Sequence, residues 1–320
     1  PQIRLRFRFH WRYRQIDRRS RPPQSGAAAT LHRHAGNRLA MCPPTNRMRA
    51  FLGHRGANVA LGLVVLICVA ALLHGGGDLY FGPALSDLTE VFYPRTVFIS
   101  RWLDRGVFPL WDPHLFGGFP VVETQQPSVL YPSMILPAWL LSPEAAMLAT
   151  MSLHMFAALV FGYAGFRMGF RLSPWVALLA TTTFALGAAF ATRVGAGHFT
   201  VVAVCGWYPV AIGCAVQAAR SVPPLRGGTD ALRALIRSRP FWMWFLASGA
   251  VNGLTVLAGS QQYVVYLFWM QTVAALAALK PTRWLGAVAS IGAAWALAAA
   301  LSAPQWLPTL SYIPFSGRGQ

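Results

Sequence analysis

The chain has 320 residues, 55% of them hydrophobic and 11% charged, with a mean hydropathy of +0.44. That balance excludes a water-soluble globular domain and makes lipid the expected solvent. The formal net charge of +18 is unevenly placed, because residues 1–55 hold 13 of the 27 Lys and Arg but one of the nine acids, Asp17.

The first element is that basic tail, 1–55. Basic and aromatic residues interleave in Ile3-Arg4-Leu5-Arg6-Phe7-Arg8-Phe9 and again in Trp11-Arg12-Tyr13-Arg14, as in an arm that binds nucleic acid or anionic lipid. The chain also opens on Pro1 and has Lys280 as its single lysine, a usage typical of GC-rich coding. The expectation is therefore a disordered or non-native tail, with Met41 or Met48 as the start and no nucleic acid among the partners. Residues 56–320 are expected to form one polytopic membrane domain.

Seven apolar runs have the 17 to 25 residues, roughly, that a helix needs to cross hydrocarbon: 57–73, 145–166, 172–192, 199–219, 241–258, 263–279 and 284–303. A cleaved signal peptide is the rival for the first run, but the run is long for one and no A-x-A site follows. Cys205 and Cys214 fall in one run, nine positions apart, about 13 Å of helical rise and too far to bridge. An eighth run, 128–141, is short and contains Pro132 and Pro137.

Charge placement orients these runs. If 128–141 does not cross, then Arg49 and Arg55, Arg167 and Arg171, Arg220 through Arg239, and Lys280 with Arg283 all face the cytoplasm, as short cytoplasmic loops require. The eighth run is therefore read as re-entrant or interface-lying. The N-terminus is cytoplasmic, and the exterior holds the loop 74–144, the turn 193–198, the turn 259–262 and the segment 304–320. Seven of the nine acids lie in that first loop: Asp78, Asp87, Glu90, Asp104, Asp112, Glu123 and Glu144. Acid/base or metal chemistry has its home there.

Within the loop, 86–105 places Leu88, Val91, Phe92, Ile99, Trp102 and Leu103 at helical spacing. This predicts an amphipathic helix on the membrane, kinked at Pro94. Asp87 and Glu90 stand at its start, where spacing alone favours a capping pair over a base or metal ligand. Gly and Pro then recur densely from Gly106 to Pro132, predicting a fixed, non-helical lid in which Asp112 before Pro113 initiates a turn. Later spans bring His154 at mid-membrane, where a helix-to-helix hydrogen bond is favoured over a proton relay, and Pro209, expected to kink its helix. Arg193 and Arg318 are phosphate ligands or headgroup anchors. His198, Gln261 and Gln262 begin helices, and either line a site or satisfy backbone groups.

The order Asp87 with Tyr93-Pro94, Gly106-x-x-Pro109-Leu110-Trp111-Asp112-Pro113, Gly117-Gly118-x-Pro120 and Tyr131-Pro132 resembles the first external loop of the YfhO-like membrane proteins. Gly197-His198-Phe199 with Trp207-Tyr208-Pro209, Gly259-Ser260-Gln261-Gln262-Tyr263, Ala303-Pro304-Gln305-Trp306-Leu307-Pro308 and Ser316-Gly317-Arg318 extend the match across residues 58–318. These proteins resemble the GT-C superfamily of polytopic glycosyltransferases. The resemblance implies an all-α, GT-C-like fold and transfer of a sugar from a polyprenyl-phosphate donor to a cell-envelope acceptor outside the plasma membrane. It implies Asp87 as the catalytic or metal-binding acid, with Glu90 second, and Arg193, His198, Gln261, Gln262, Arg318 and Asp112 toward substrate. The family usually has Asn where Asp112 stands, so the match implies no separate catalytic role there. It fixes no cofactor, with a divalent metal the candidate, and its members commonly run longer, with more helices and an exterior C-terminal region, so the expectation is a fragment lacking acceptor-binding parts. A transporter or flippase, or an assembly protein without chemistry, are the alternatives from other classes.

Overall fold

The computed structural model describes residues 44–81, 86–223 and 229–316. Most of the tail and Arg318 therefore lie outside the described residues. α1 (Pro44–Phe81) is a 38-residue helix that continues past both ends of the expected first span, so 74–81 is helical although the loop was expected to start at 74. A one-turn π-helix, Leu88–Phe92, leads into α2 (Tyr93–Asp104). The lid follows, with a two-stranded antiparallel pair in which β1 (Trp111–Asp112) faces β2 (Phe119–Pro120). Then come α3 (Pro132–Leu140) and α4 (Pro143–Phe156), which continues through a π-turn into α5 (Gly162–Phe170). Two broken helices follow: α6 (Pro174–Leu186) with α7 (Ala188–Gly195), and α8 (Phe199–Gly206) with α9 (Tyr208–Ser221). α10 (Thr229–Arg237), α11 (Arg239–Leu257), α12 (Gln261–Ala278), α13 (Trp284–Leu301) and α14 (Ala303–Tyr312) complete the order.

Among the described residues six helices are long and apolar enough to cross a membrane: His54–Ala71, Pro143–Phe170, Pro174–Gly195, Phe199–Ser221, Arg239–Leu257 and Pro281–Leu301. They match six of the seven expected runs within a few residues. The seventh, 263–279, is α12, whose 18 residues include Gln261, Gln262 and Gln271 and are correspondingly less apolar. The eighth run contains only the nine-residue α3, about 13 Å long at helical rise and too short to cross. The chain is an all-α multi-pass membrane protein.

The bundle is built around α9. The Phe199–Ser221 span is 78% buried, against 6% for the first span, and α9 packs on α5, α11, α12 and α13. The α5 contact is possible because both helices carry glycine where they meet: a Cβ on Gly165 would lie 2.1 Å from the Pro209 carbonyl oxygen. Small residues let backbones approach where apolar burial gives no preference between helix and lipid. The α8/α9 break falls at Trp207, just before Pro209, so Cys205 and Cys214 sit on two helices, and both are free thiols.

Two ends of the bundle differ in chemistry. At one, Arg167 hydrogen-bonds His54 Nε2 at 3.0 Å, Arg220 donates to the Met168 carbonyl at 3.1 Å, and Arg283 to the Arg220 carbonyl at 2.8 Å. This basic end gathers the arginine-rich connections. At the other, Ser128 Oγ donates to the Ala258 carbonyl and Gln125 Nε2 to Thr309 Oγ1, each at 2.9 Å. The lid, the 259–262 turn and α14 thus share an acidic end, as the sequence groups them.

Candidate functional site

The 193–198 turn is locked against the start of the π-helix. The Asp87 N–H donates to the Ala196 carbonyl at 3.3 Å. Gly197 has φ +72, and a Cβ there would come within 2.5 Å of the Leu88 nitrogen, so this junction requires glycine. The expected capping pair is not what starts the helix. Ser86 does that work: its hydroxyl oxygen accepts from the Thr89 N–H at 3.3 Å and its carbonyl from the Glu90 N–H at 3.0 Å. Asp87 makes no side-chain cap bond, which leaves its carboxylate for another partner.

That partner is His198, whose Nε2 lies 3.4 Å from Asp87 Oδ2. Arg193 Nη1 stands 2.8 Å from His198 Nδ1. A guanidinium only donates, so Nδ1 is the acceptor, and the proton of the neutral ring is on Nε2, the nitrogen nearer Asp87. Asp87, His198 and Arg193 form a line of carboxylate, imidazole and guanidinium. Asp87 is 56% exposed and His198 31%, so the line is open to a ligand.

Arg193 also stands at the edge of a groove of about 510 Å³ that runs into the apolar part of the bundle, past Phe190, Cys205, Tyr208, Tyr263 and Tyr266. The Tyr208 hydroxyl donates to the Tyr263 carbonyl, closing one wall. Gln262 reaches this wall from outside, its Nε2 bonding Tyr266 Oη at 2.5 Å.

Other expected site residues are elsewhere. Glu90 faces a separate groove along α2, with Arg101, Arg105 and His114, so it does not share a site with Asp87. Asp112 is 5% exposed, and its Oδ1 accepts from the His114 N–H at 2.9 Å, which is the turn expected before Pro113. Half-buried Arg95 beside it donates to Gln126 Oε1 at 3.1 Å and lies 5.7 Å over the Phe119 ring. Burial pushes its pKa down and Asp112 pushes it back up. Gln261 is bonded to the Val256 carbonyl at 3.1 Å and lines a third groove with Trp295 and Trp306, away from Arg193. Among the described residues no three His, Cys, Asp or Glu side chains gather as a metal site would require.

The amphipathic helix 86–105 was expected to turn its apolar face to the membrane. Instead Leu88, Phe92 and Ile99 are 4% exposed or less and pack into protein, and the Thr96 hydroxyl donates to Met147 Sδ of α4 at 3.1 Å. His154 is fully buried. Its Nδ1 donates to the Thr150 carbonyl at 2.6 Å, and its Nε2 accepts from the Tyr131 hydroxyl at 2.6 Å. Tyr131 in turn accepts from Trp207 Nε1 at 2.8 Å. Tyr208 and Tyr263 entered the sequence reading only as parts of motifs, with no role in a groove, and Tyr266 had no signal; nor did a mid-bundle cluster in which Gln271 Nε2 donates to Asn252 Oδ1 and Trp295 Nε1 to Gln271 Oε1, both at 2.8 Å.

No family model matches the chain, and neither a curated protein nor a solved structure is similar to it beyond chance.

Proposed function

We propose that this chain is a GT-C-like membrane glycosyltransferase, moving a sugar from a polyprenyl-phosphate donor to an acceptor on the non-cytoplasmic face of the plasma membrane. One observation carries the reading: the Asp87–His198–Arg193 line adjoins an apolar groove that Arg193 itself borders. An open carboxylate, a fixed cation and a lipid-sized cleft are the parts that this transfer needs in one place. In this reading α12 is a seventh span and the basic end faces the cytoplasm, which puts the line on the exterior.

The chemistry follows from the atoms. The bond between the sugar's anomeric carbon and the phosphate oxygen breaks, and the anomeric carbon bonds the acceptor hydroxyl oxygen. Asp87 takes the proton of that hydroxyl through the oxygen not engaged by His198. Arg193, still holding His198, meets the departing phosphate with its remaining N–H groups. The donor's hydrocarbon chain lies along Phe190 and Tyr266, which leaves its phosphate at the level of Arg193.

The test is sugar incorporation by membranes that contain the full-length protein, with a panel of polyprenyl-phosphate hexoses as donors. Asp87→Asn is expected to lower the rate by about 100-fold or more, the usual contribution of a positioned base, with the protein present in unchanged amount. Normal turnover in that variant removes Asp87 as the base. No incorporation by the unmodified protein with any donor favours the non-catalytic reading.

A further inference from the structure

The groove along α2 is unconnected to the transfer chemistry argued above. It has a volume of about 560 Å³ and runs between one face of α2 and the 112–116 turn. Its charges are Glu90, Arg95, Arg101, Arg105, Asp112 and His114. Asp112 and Arg95 offset each other. Glu90 is eleven positions before Arg101, about 16 Å along a helix. The remaining pair, Arg101 and Arg105, are four residues apart on one face, where like charges repel. Both side chains are exposed, and neither guanidinium makes a hydrogen bond or salt bridge among the described residues, the electrostatic pull of Arg101 on the Tyr93 hydroxyl aside. That end of the groove is cationic.

The wall beside these arginines is apolar. Phe98 and Trp102 are in ring contact at 5.6 Å. Phe116, opposite, is 89% exposed and held at φ 51, an unusual conformation for a bulky residue. The groove also sits where headgroups would lie: the Tyr93 hydroxyl of α2 donates to Glu144 in the first turn of α4, so α2 crosses the mouth of a span. The same contact pushes the Tyr93 hydroxyl above its ordinary pKa.

We propose that this groove binds an anionic membrane lipid, with Arg101 and Arg105 on its headgroup phosphate and Phe98, Trp102 and Phe116 along the start of its acyl chains. The complementarity is twofold, since a free phosphate would satisfy the arginines but leave the aromatic wall exposed. The ligand would hold α2, and with it the Asp87 turn, at a fixed depth in the interface.

The full-length protein in nanodiscs of phosphatidylcholine with a minor fraction of phosphatidylglycerol tests this, with retained lipid read by native mass spectrometry. The unmodified protein is expected to retain phosphatidylglycerol selectively. R101Q/R105Q should lose about tenfold of that preference, the worth of one charge-assisted contact. F116D should lose it as well, and Asp tolerates the positive φ. Circular dichroism and size exclusion confirm that these exposed substitutions leave the fold intact. Undiminished retention in R101Q/R105Q overturns the proposal. So does complete displacement of the lipid by inorganic phosphate or glycerol phosphate, which would make the groove a site for the free anion. Sugar transfer is not read, so failure here is distinct from failure of the transferase reading.

Discussion

Tyr131 shows how one side chain joins three parts of the molecule. Its oxygen accepts from Trp207 at the α8/α9 break and donates to His154 of α4, while its backbone leads into α3 through Pro132. Tyr131→Phe keeps the ring but leaves the fully buried His154 Nε2 and the Nε1 of half-buried Trp207 without their partner. The expected cost is roughly 1–2 kcal/mol, the range for hydrogen bonds between membrane helices, read as a lower unfolding midpoint in mixed micelles. An unchanged midpoint would mean that other groups rearrange to pair both atoms. The favoured sequence reading of His154, a structural hydrogen bond, was legible from its depth in an apolar run. Its partner was not, because Tyr131 is 23 positions away in a segment without periodicity. The Asp87 line has a similar history: each member stood out by type and by side of the membrane, but nothing in the spacing separated Asp87 from Glu90. The Ser86 cap made that separation, turning Asp87 toward His198 while Glu90 faces the α2 groove.

At the scale of elements, the apolar runs gave six of the spanning segments within a few residues because the length that spans lipid is a strong constraint, but not the extent of α1 or the breaks between α6 and α7 and between α8 and α9. They did not say which helices touch, since a lipid-facing and a protein-facing leucine read alike. Small residues carry that information, and α5 with α9 is the case in point. A Cβ on Gly213 would lie 2.9 Å from the Gly165 Cα. Gly213→Leu should therefore force the two helices apart, at roughly 1–3 kcal/mol for an overpacked contact. Gly292→Leu on α13 has open space around it and should be close to neutral. Comparing unfolding midpoints of the pair separates packing from the general effect of replacing glycine in a helix. Equal losses in both would deny that α5 and α9 meet through their glycines. The amphipathic helix failed as an expectation for the same reason: the apolar stripe of 86–105 was read correctly, but the stripe does not name the surface that covers it, and α4 supplies that surface in place of lipid.

For the whole molecule, the separation into a basic and an acidic end is the property on which any reading of function depends. The charge rule that grouped the loops used only the positions of Arg and Lys. The folded chain groups them the same way through contacts that the rule does not include, such as Arg283 with the Arg220 carbonyl and Ser128 with the Ala258 carbonyl. Agreement between two unrelated constraints makes the grouping secure, but which end faces outward is a separate matter that labelling decides. In a background with the native cysteines replaced by serine, Pro113→Cys is a probe for the acidic end, outside the lipid groove, and Lys280→Cys for the basic end, both at exposed positions. A membrane-impermeant maleimide is expected to modify the first in intact cells and the second only after permeabilisation. The reverse pattern would put Asp87, His198 and Arg193 in the cytoplasm, where transfer to an envelope acceptor has no substrate. Modification of both from one side would overturn the seven-span reading, because an odd number of crossings separates residue 113 from residue 280 only if the short run at α3 stays on one face and α12 crosses.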